Sequence, residues 1–207
     1  MAYRTTPKMA DRKQSRRRRL LQVAIRSFGR KGFHATTVPM IVSAAGSSTG
    51  SFYFYFRNKE DIYAAALQTI GENIAAALNA AIAAAGPEVF RQMRAAVSGL
   101  VRYLAEHPEE ARILIIESSG LGKRLEAIRR SLVASHTRSV EHALAAVRPI
   151  GLDAAVAASC WVGAVYEAVF HWLEQPAGER LPADQLSQAI AGFNLRAVGA
   201  PQELLQE

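Results

Sequence analysis

The stretch from Thr36 to Glu60, TTVPMIVSAAGSSTGSFYFYFRNKE, constrains the fold of this chain more than any other. It reads as two short helices joined by a turn at Gly46. Hydroxyl residues precede each helix: Thr36 or Thr37 before the first, Ser47 or Ser48 before the second. At those positions a side-chain oxygen can satisfy a backbone N–H that the helix leaves unpaired. Pro39 falls in a first turn, where a helix tolerates it. Val38, Ile41, Val42 and Ala45 form one core face, and Phe52 and Phe56 another. This is the layout of a helix-turn-helix, whose second helix enters a DNA major groove.

Apolar residues recur at helical spacing elsewhere, and no run alternates as a strand would. A first helix is predicted over 16–31, with Leu20, Leu21, Ala24, Ile25 and Phe28 as its buried stripe and Gly32 as its stop. Asn58 caps a fourth helix, with Asp61 in a capping-box-like position, and this helix runs through an alanine-rich stretch to about Ala85. Breaks at Gly86-Pro87, His107-Pro108, Gly120 to Gly122, Pro149 to Gly151 and Gln175 to Pro182 leave helices near 88–106, 108–118, 121–147, 153–174 and 183–198. The expected fold is therefore all-α, with about nine helices. Residues 1–15 are expected to be a disordered basic arm, 16–67 a DNA-binding head, 68–200 a dimerisation body, and 201–207 a tail.

The charge supports that division. Residues 1–63 hold 13 Lys/Arg against 3 Asp/Glu, a net of +10, and residues 64–207 hold 12 against 15, a net of −3. A basic module on a slightly acidic body points to nucleic acid at one end and something else at the other.

Base reading is expected from exposed side chains early in the second helix of the motif: Thr49, Ser51 and Phe54, with Gly50 leaving room for close approach. Thr36, Thr37, Ser47 and Ser48 at helix starts, Tyr53 and Tyr55 on the outer face, and Lys59 at the start of the fourth helix are expected to hold phosphates.

The predicted helix over 153–174 is apolar nearly all round, so it must be buried on nearly all sides. One face can pack on the body. A second copy of the chain is the simplest partner for the other. The expected interface comprises Ala157, Trp161, Val165 and Ala168, with Leu186, Ile190 and Phe193 from the last helix. A membrane span is disfavoured because Glu167 and His171 interrupt the run, and a cytoplasmic protein is expected.

Nothing points to an enzyme. The five histidines show no metal-ligand spacing with carboxylates, Gly120-Leu121-Gly122-Lys123 lacks the rest of a nucleotide-binding fingerprint, and the single cysteine, Cys160, cannot form an internal disulfide. No catalytic residue, metal or cofactor is expected.

Residues 17–67 resemble the DNA-binding domain of the TetR family of bacterial transcriptional regulators. The matching features are Phe28 and Gly32 closing the first helix, then Thr36-Thr37-Val38, Ile41, Ala44-Ala45-Gly46, Ser48, Gly50, Tyr53, Tyr55-Phe56 and Lys59-Glu60. The resemblance implies a homodimer on a palindromic operator of double-stranded DNA, released by a small effector that binds the body over 68–200. It also implies DNA contacts by Thr37, Ser48, Thr49, Ser51, Tyr53, Tyr55 and Lys59. Three positions depart from the family pattern: Ser47 stands where valine is usual, Val42 where alanine is common, and Phe54 where a histidine or other polar residue is frequent. The effector is expected to be mostly apolar, lined by Tyr103, Glu117, Trp161, Tyr166 and Phe170. It would act through the fourth helix as a lever on the spacing of the heads. The alternative is a DNA-binding regulator of the same shape with no small-molecule effector, constitutive or controlled by a protein partner.

Overall fold

The computed structural model describes residues 7–117, 120–147 and 151–205. The described residues form ten α-helices and one π-helical segment, with no strand among them. The head comprises α1 (Pro7–Ala35), α2 (Val38–Ala44) and α3 (Thr49–Tyr55). The connector α4 spans Lys59–Ala84. The body follows with α5 (Val89–Glu106), α6 (Pro108–Ala111) continuing as a π-helical segment (Arg112–Glu117), α7 (Lys123–Val147), α8 (Ala154–Glu174), α9 (Ala183–Ala197) and a terminal turn, α10 (Gln202–Leu205).

Local chemistry explains most boundaries. Thr37, Ser48, Asn58 and Asp153 each accept a backbone N–H three residues on, capping α2, α3, α4 and α8. Glu88 caps α5 through the N–H groups of Phe90 and Arg91, a role not expected from its residue type. Gly32 breaks α1 as predicted: its φ of 79° leaves the helical region for one that only glycine enters readily.

The start of α1 differs from expectation. Residues 7–15, predicted to be disordered, are helical from Pro7 onward, while residues 1–6 and the end of the predicted tail (206–207) lie outside the described residues. The predicted helix over 108–118 is a short α-helix that widens into a π segment.

The head core gathers Leu20, Ala24 and Phe28 of α1, Ile41 of α2, Phe52 of α3 and Tyr63 of α4, all essentially inaccessible to solvent. In the body the most extensive contacts are α4 on α5, α7 on α8 and α5 on α9. By length and composition α8 could cross a bilayer, and 33% of its most apolar stretch is buried in the chain. Its inward face presents Trp161, Val162, Val165, Val169 and Trp172 to the body.

Head and body meet through α4 and also through α1, which packs on α6 and the π segment. Arg30 Nε donates to Glu109 Oε1 at 2.9 Å, and Arg112 Nε donates to the Gly29 carbonyl at 3.1 Å. Asp61 at the start of α4 accepts from Arg124 Nη2 at 2.9 Å, and this guanidinium holds the Asp61 carboxyl below its ordinary pKa.

Candidate nucleic-acid interface

The two motif helices are set by α1 beneath them and by the turn between them. Gly46 takes φ 57°. There its N–H donates to the Ser43 carbonyl and the Ser47 N–H reaches back to the Val42 carbonyl, both at 3.0 Å. These bonds satisfy the last carbonyls of α2 and aim the chain into α3. Ser48 Oγ then accepts the Ser51 N–H at 3.2 Å.

Within α3, Phe52 is fully buried, and Phe56 just beyond it is 2% exposed. The opposite face carries Thr49, Gly50, Tyr53 and Phe54 into solvent. Tyr53 is 55% exposed and Phe54 64%. A Cβ at Gly50 would meet nothing within 4 Å, so this face is unobstructed. Thr37 and Ser48 are also exposed. Ser51 is half-buried, and Tyr55 is half-buried against the edge of the core.

Three expected contacts change character. Thr36 is fully buried, and its hydroxyl lies 2.8 Å from the Gly32 carbonyl and 3.1 Å from that of Ser27. It closes the end of α1 and does not reach the surface. Ser47 is half-buried, and its recorded bond is the backbone closure of the turn; the N-cap is Ser48. Lys59 is half-buried: its Nζ donates to the Phe33 carbonyl at 2.9 Å and lies 4.3 Å above the Phe33 ring. Its first role is therefore to tie α4 to the end of α1.

A concave site of about 320 Å³ lies where α1 meets the turn, lined by Arg16 and Arg19 together with Ser47, Ser48 and Ser51. The basic residues Lys8, Arg12, Lys13 and Arg16 to Arg19 are expected from the sequence to add phosphate contacts as a disordered arm; from Pro7 onward they stand on a helix instead. The signal was present as the run Arg16 to Arg19, but its placement beside the turn depends on how α1 crosses α2 and α3.

The residues expected to line an effector site occupy several settings. Tyr103 donates its hydroxyl to Glu110, and burial with the Glu110 charge raises its pKa. Tyr166 meets His136 Nδ1 at 2.9 Å between α8 and α7; burial raises the pKa of the tyrosine and lowers that of the histidine. Trp161 is buried, with its carbonyl accepting from Asn194 Nδ2 of α9. Phe170 is half-buried. Glu117 sits at the head–body junction, its carboxylate 2.9 Å from where a Cβ on Gly32 would stand. A second cavity of about 380 Å³ lies along α7 among Arg129, Val133, Thr137 and Arg138, sharing no residue with the expected set.

The expected dimer residues also divide. Trp161, Val165, Leu186 and Ile190 are each at most 8% exposed within the single chain, so they belong to its core. Ala157 and Ala168 are half-buried, and Phe193 is 64% exposed. The outward face of α8 is instead Val156, Ser159, Cys160, Gly163 and Glu167.

A buried three-helix core, a glycine turn and an exposed second helix define a helix-turn-helix DNA-binding head on an all-α body. Residues 20–66, the head and the start of α4, match the family model of bacterial regulatory proteins, tetR family. Among curated relatives, the HTH-type transcriptional regulator RutR of Escherichia coli (strain K12) is 27% identical over 123 residues, covering 56% of this chain and 54% of RutR. The uncharacterized HTH-type transcriptional regulator YerO of Bacillus subtilis is 40% identical over 53 residues, 26% of this chain and 18% of YerO. The chain thus spans about half the length, or less, of the curated relatives it matches. Among solved structures, the fatty acid degradation regulator FadR from Bacillus halodurans superposes with a TM-score of 0.75 at 19% identity, covering 86% of this chain and 96% of that one. FadR from Bacillus subtilis in complex with stearoyl-CoA gives 0.74 at 20% identity, covering 89% and 98%. These likenesses establish the fold.

Proposed function

We propose that the chain is a homodimeric regulator that binds a palindromic DNA operator and is released from it by a small, mostly apolar effector. The observation that carries the DNA reading is the outward face of α3. Two aromatic rings stand more than half exposed on a seven-residue helix beside a basic α1, where they add nothing to the buried core. Phe54 suits a thymine methyl, and Tyr53 a phosphate oxygen. The test is binding-site selection from a random duplex pool followed by a gel shift. Recovery of an inverted-repeat consensus is expected. Binding to all duplexes alike would sink the operator reading.

The dimer reading is supported by the outward face of α8 and α9. Val156 is 62% exposed and Phe193 64%, while Ser159, Cys160 and Gly163 between them would let a second backbone approach closely. Nothing lies within 4 Å of a Cβ built on Gly163, so Gly163→Leu is compatible with the isolated fold. Gly163→Leu and Phe193→Asp are both expected to sediment as monomers with unchanged helical content. Operator affinity should fall at least about tenfold, about 1.4 kcal/mol. A dimeric mass for both variants would place the interface elsewhere.

The effector reading draws on the apolar body and on the acyl-CoA ligand of the Bacillus subtilis neighbour. Release requires the effector to favour the DNA-incompetent state, so saturating operator must weaken effector binding by the same factor. Titration of stearoyl-CoA with and without saturating operator is expected to give a lower affinity in its presence. Equal affinities would favour a regulator without such an effector.

A further inference from the structure

We propose that the N-terminal half of α1 is a second DNA-binding element, a helical phosphate track that extends each half-site beyond the reach of α3. The proposal rests on the operator reading above.

From Asp11 to Arg19 every side chain of α1 is exposed, and Leu20 is buried. That segment carries Arg12, Lys13 and Arg16 to Arg19 against Asp11 alone. Its basic residues stand at helical neighbours: Arg12 with Arg16 and Lys13 with Arg17 are four apart, which disfavours a helix in isolation. The contacts that offset this repulsion run to α3 and to the residues on either side of it. Lys13 Nζ lies 4.6 Å from the centroid of the Phe54 ring, the most exposed ring of α3. One turn on, Arg17 stands 5.3 Å from the Phe56 ring. Arg16 and Arg19 enter the concave site beside Ser48 and Ser51.

Lys13, Arg16, Arg17 and Leu20 share one helical face. The extension is therefore held alongside α3 and leads away from it. A concentrated positive charge held beside a base-reading face calls for a polyanion continuous with whatever α3 touches, and that is the same duplex. From Pro7 to Leu20 the helix advances about 20 Å, which spans about six base pairs at 3.4 Å per phosphate along a strand. The contacts are to phosphates and carry no sequence information. They should add affinity and salt dependence on flanking DNA without changing the consensus.

The test uses the full chain and the double variant Arg12→Gln with Lys13→Gln. Both positions are exposed, and glutamine is a good helix former. Two duplexes are compared: the selected consensus trimmed to its ends, and the same consensus with about ten base pairs of arbitrary sequence on each side, more than the extension spans. The wild type is expected to bind the extended duplex more tightly. The variant is expected to bind both equally, with the slope of log K against log salt on the extended duplex reduced by about 1.8 per protomer. Equal binding of the two duplexes by the wild type would overturn the proposal and leave the operator reading standing. An equal loss on both duplexes in the variant would do the same, placing Lys13 inside the half-site. Absence of any selected consensus would overturn the operator reading and this proposal together.

Discussion

Phe28→Ala is expected to destabilise the protein by about 3–5 kcal/mol, the usual cost of emptying a large aromatic site in a core. Phe28 is fully buried. Its ring meets the edge of Tyr63 with centroids 4.9 Å apart and stacks on Phe33 at 5.9 Å. Phe33 in turn carries the Lys59 ammonium over its face. One ring thus supports the end of α1, the start of α4 and the tie between them, and none of these can collapse into the space without moving a helix. For a chain of this size the loss corresponds to a fall in Tm of about 6–20 °C. Phe54→Ala is the matching control. That ring is 64% exposed, so its loss is expected to change stability by no more than about 0.5 kcal/mol while weakening operator binding. A Phe28→Ala protein melting within about 2 °C of the wild type would show that the head is not organised around this ring.

Gly29→Ala is expected to destabilise although helix propensity alone favours it. Gly29 lies within α1, where alanine gains about 1 kcal/mol over glycine. A Cβ there would stand 2.5 Å from both the Cβ and the carbonyl oxygen of Glu109, and 2.6 Å from its Cα. Two of those atoms are backbone of α6, so relief requires separating the helices. Overpacking of this kind typically costs about 1–3 kcal/mol, and Gly29→Leu should lie at the upper end or beyond. The same separation would lengthen the Arg30–Glu109 ion pair and the bond from Arg112 to the Gly29 carbonyl. Gly163→Ala, with open space around it, provides the opposite sign: a gain of up to about 1 kcal/mol in the protomer. Thermal melts of the three variants measure the difference. A stabilised Gly29→Ala would mean that α1 and α6 are not in close contact in solution.

This second junction bears on how the head could be moved. An alanine-rich α4 was expected to be the lever between body and head. The structure joins them twice, through α4 and through α1 on α6 and the π segment. Tyr63 of α4 touches both, its ring on Phe28 and its hydroxyl 3.5 Å from the Ile113 carbonyl. A shift of the π segment would therefore be felt by α1 and α4 together.

Much of the architecture is legible in the sequence because its causes are local. Thr37, Ser48, Asn58 and Asp153 stand at helix starts in the sequence and act as caps in the structure, since a cap bond spans only three residues. Gly32 and Gly46 mark breaks because positive φ is a property of the residue itself. The outward Tyr53 and Phe54 and inward Phe52 follow from helical periodicity once the register of α3 is set by Ser48.

Other features depend on contacts between residues distant in sequence. Thr36 and Thr37 are equivalent as candidates in the sequence, and only the carbonyls of Ser27 and Gly32 draw one of them inside. Trp161 and Val165 lie on a helix that is apolar nearly all round, so periodicity cannot say which side meets the body; packing on α7 and α9 buries them and leaves Val156 and Gly163 outside. A run of arginines with no apolar period reads as a disordered arm that reaches DNA phosphates, yet its helix is continued from the buried turn at Leu20 and held by rings on α3 and beyond it. By itself, then, the sequence determined the helices, their caps and the reading face of α3, because these follow from bonds within a few residues. Only the tertiary structure decided which side of α8 is free, where Lys59 and Glu117 act and how α1 joins the DNA-facing surface, because each depends on which distant helix arrives beside it.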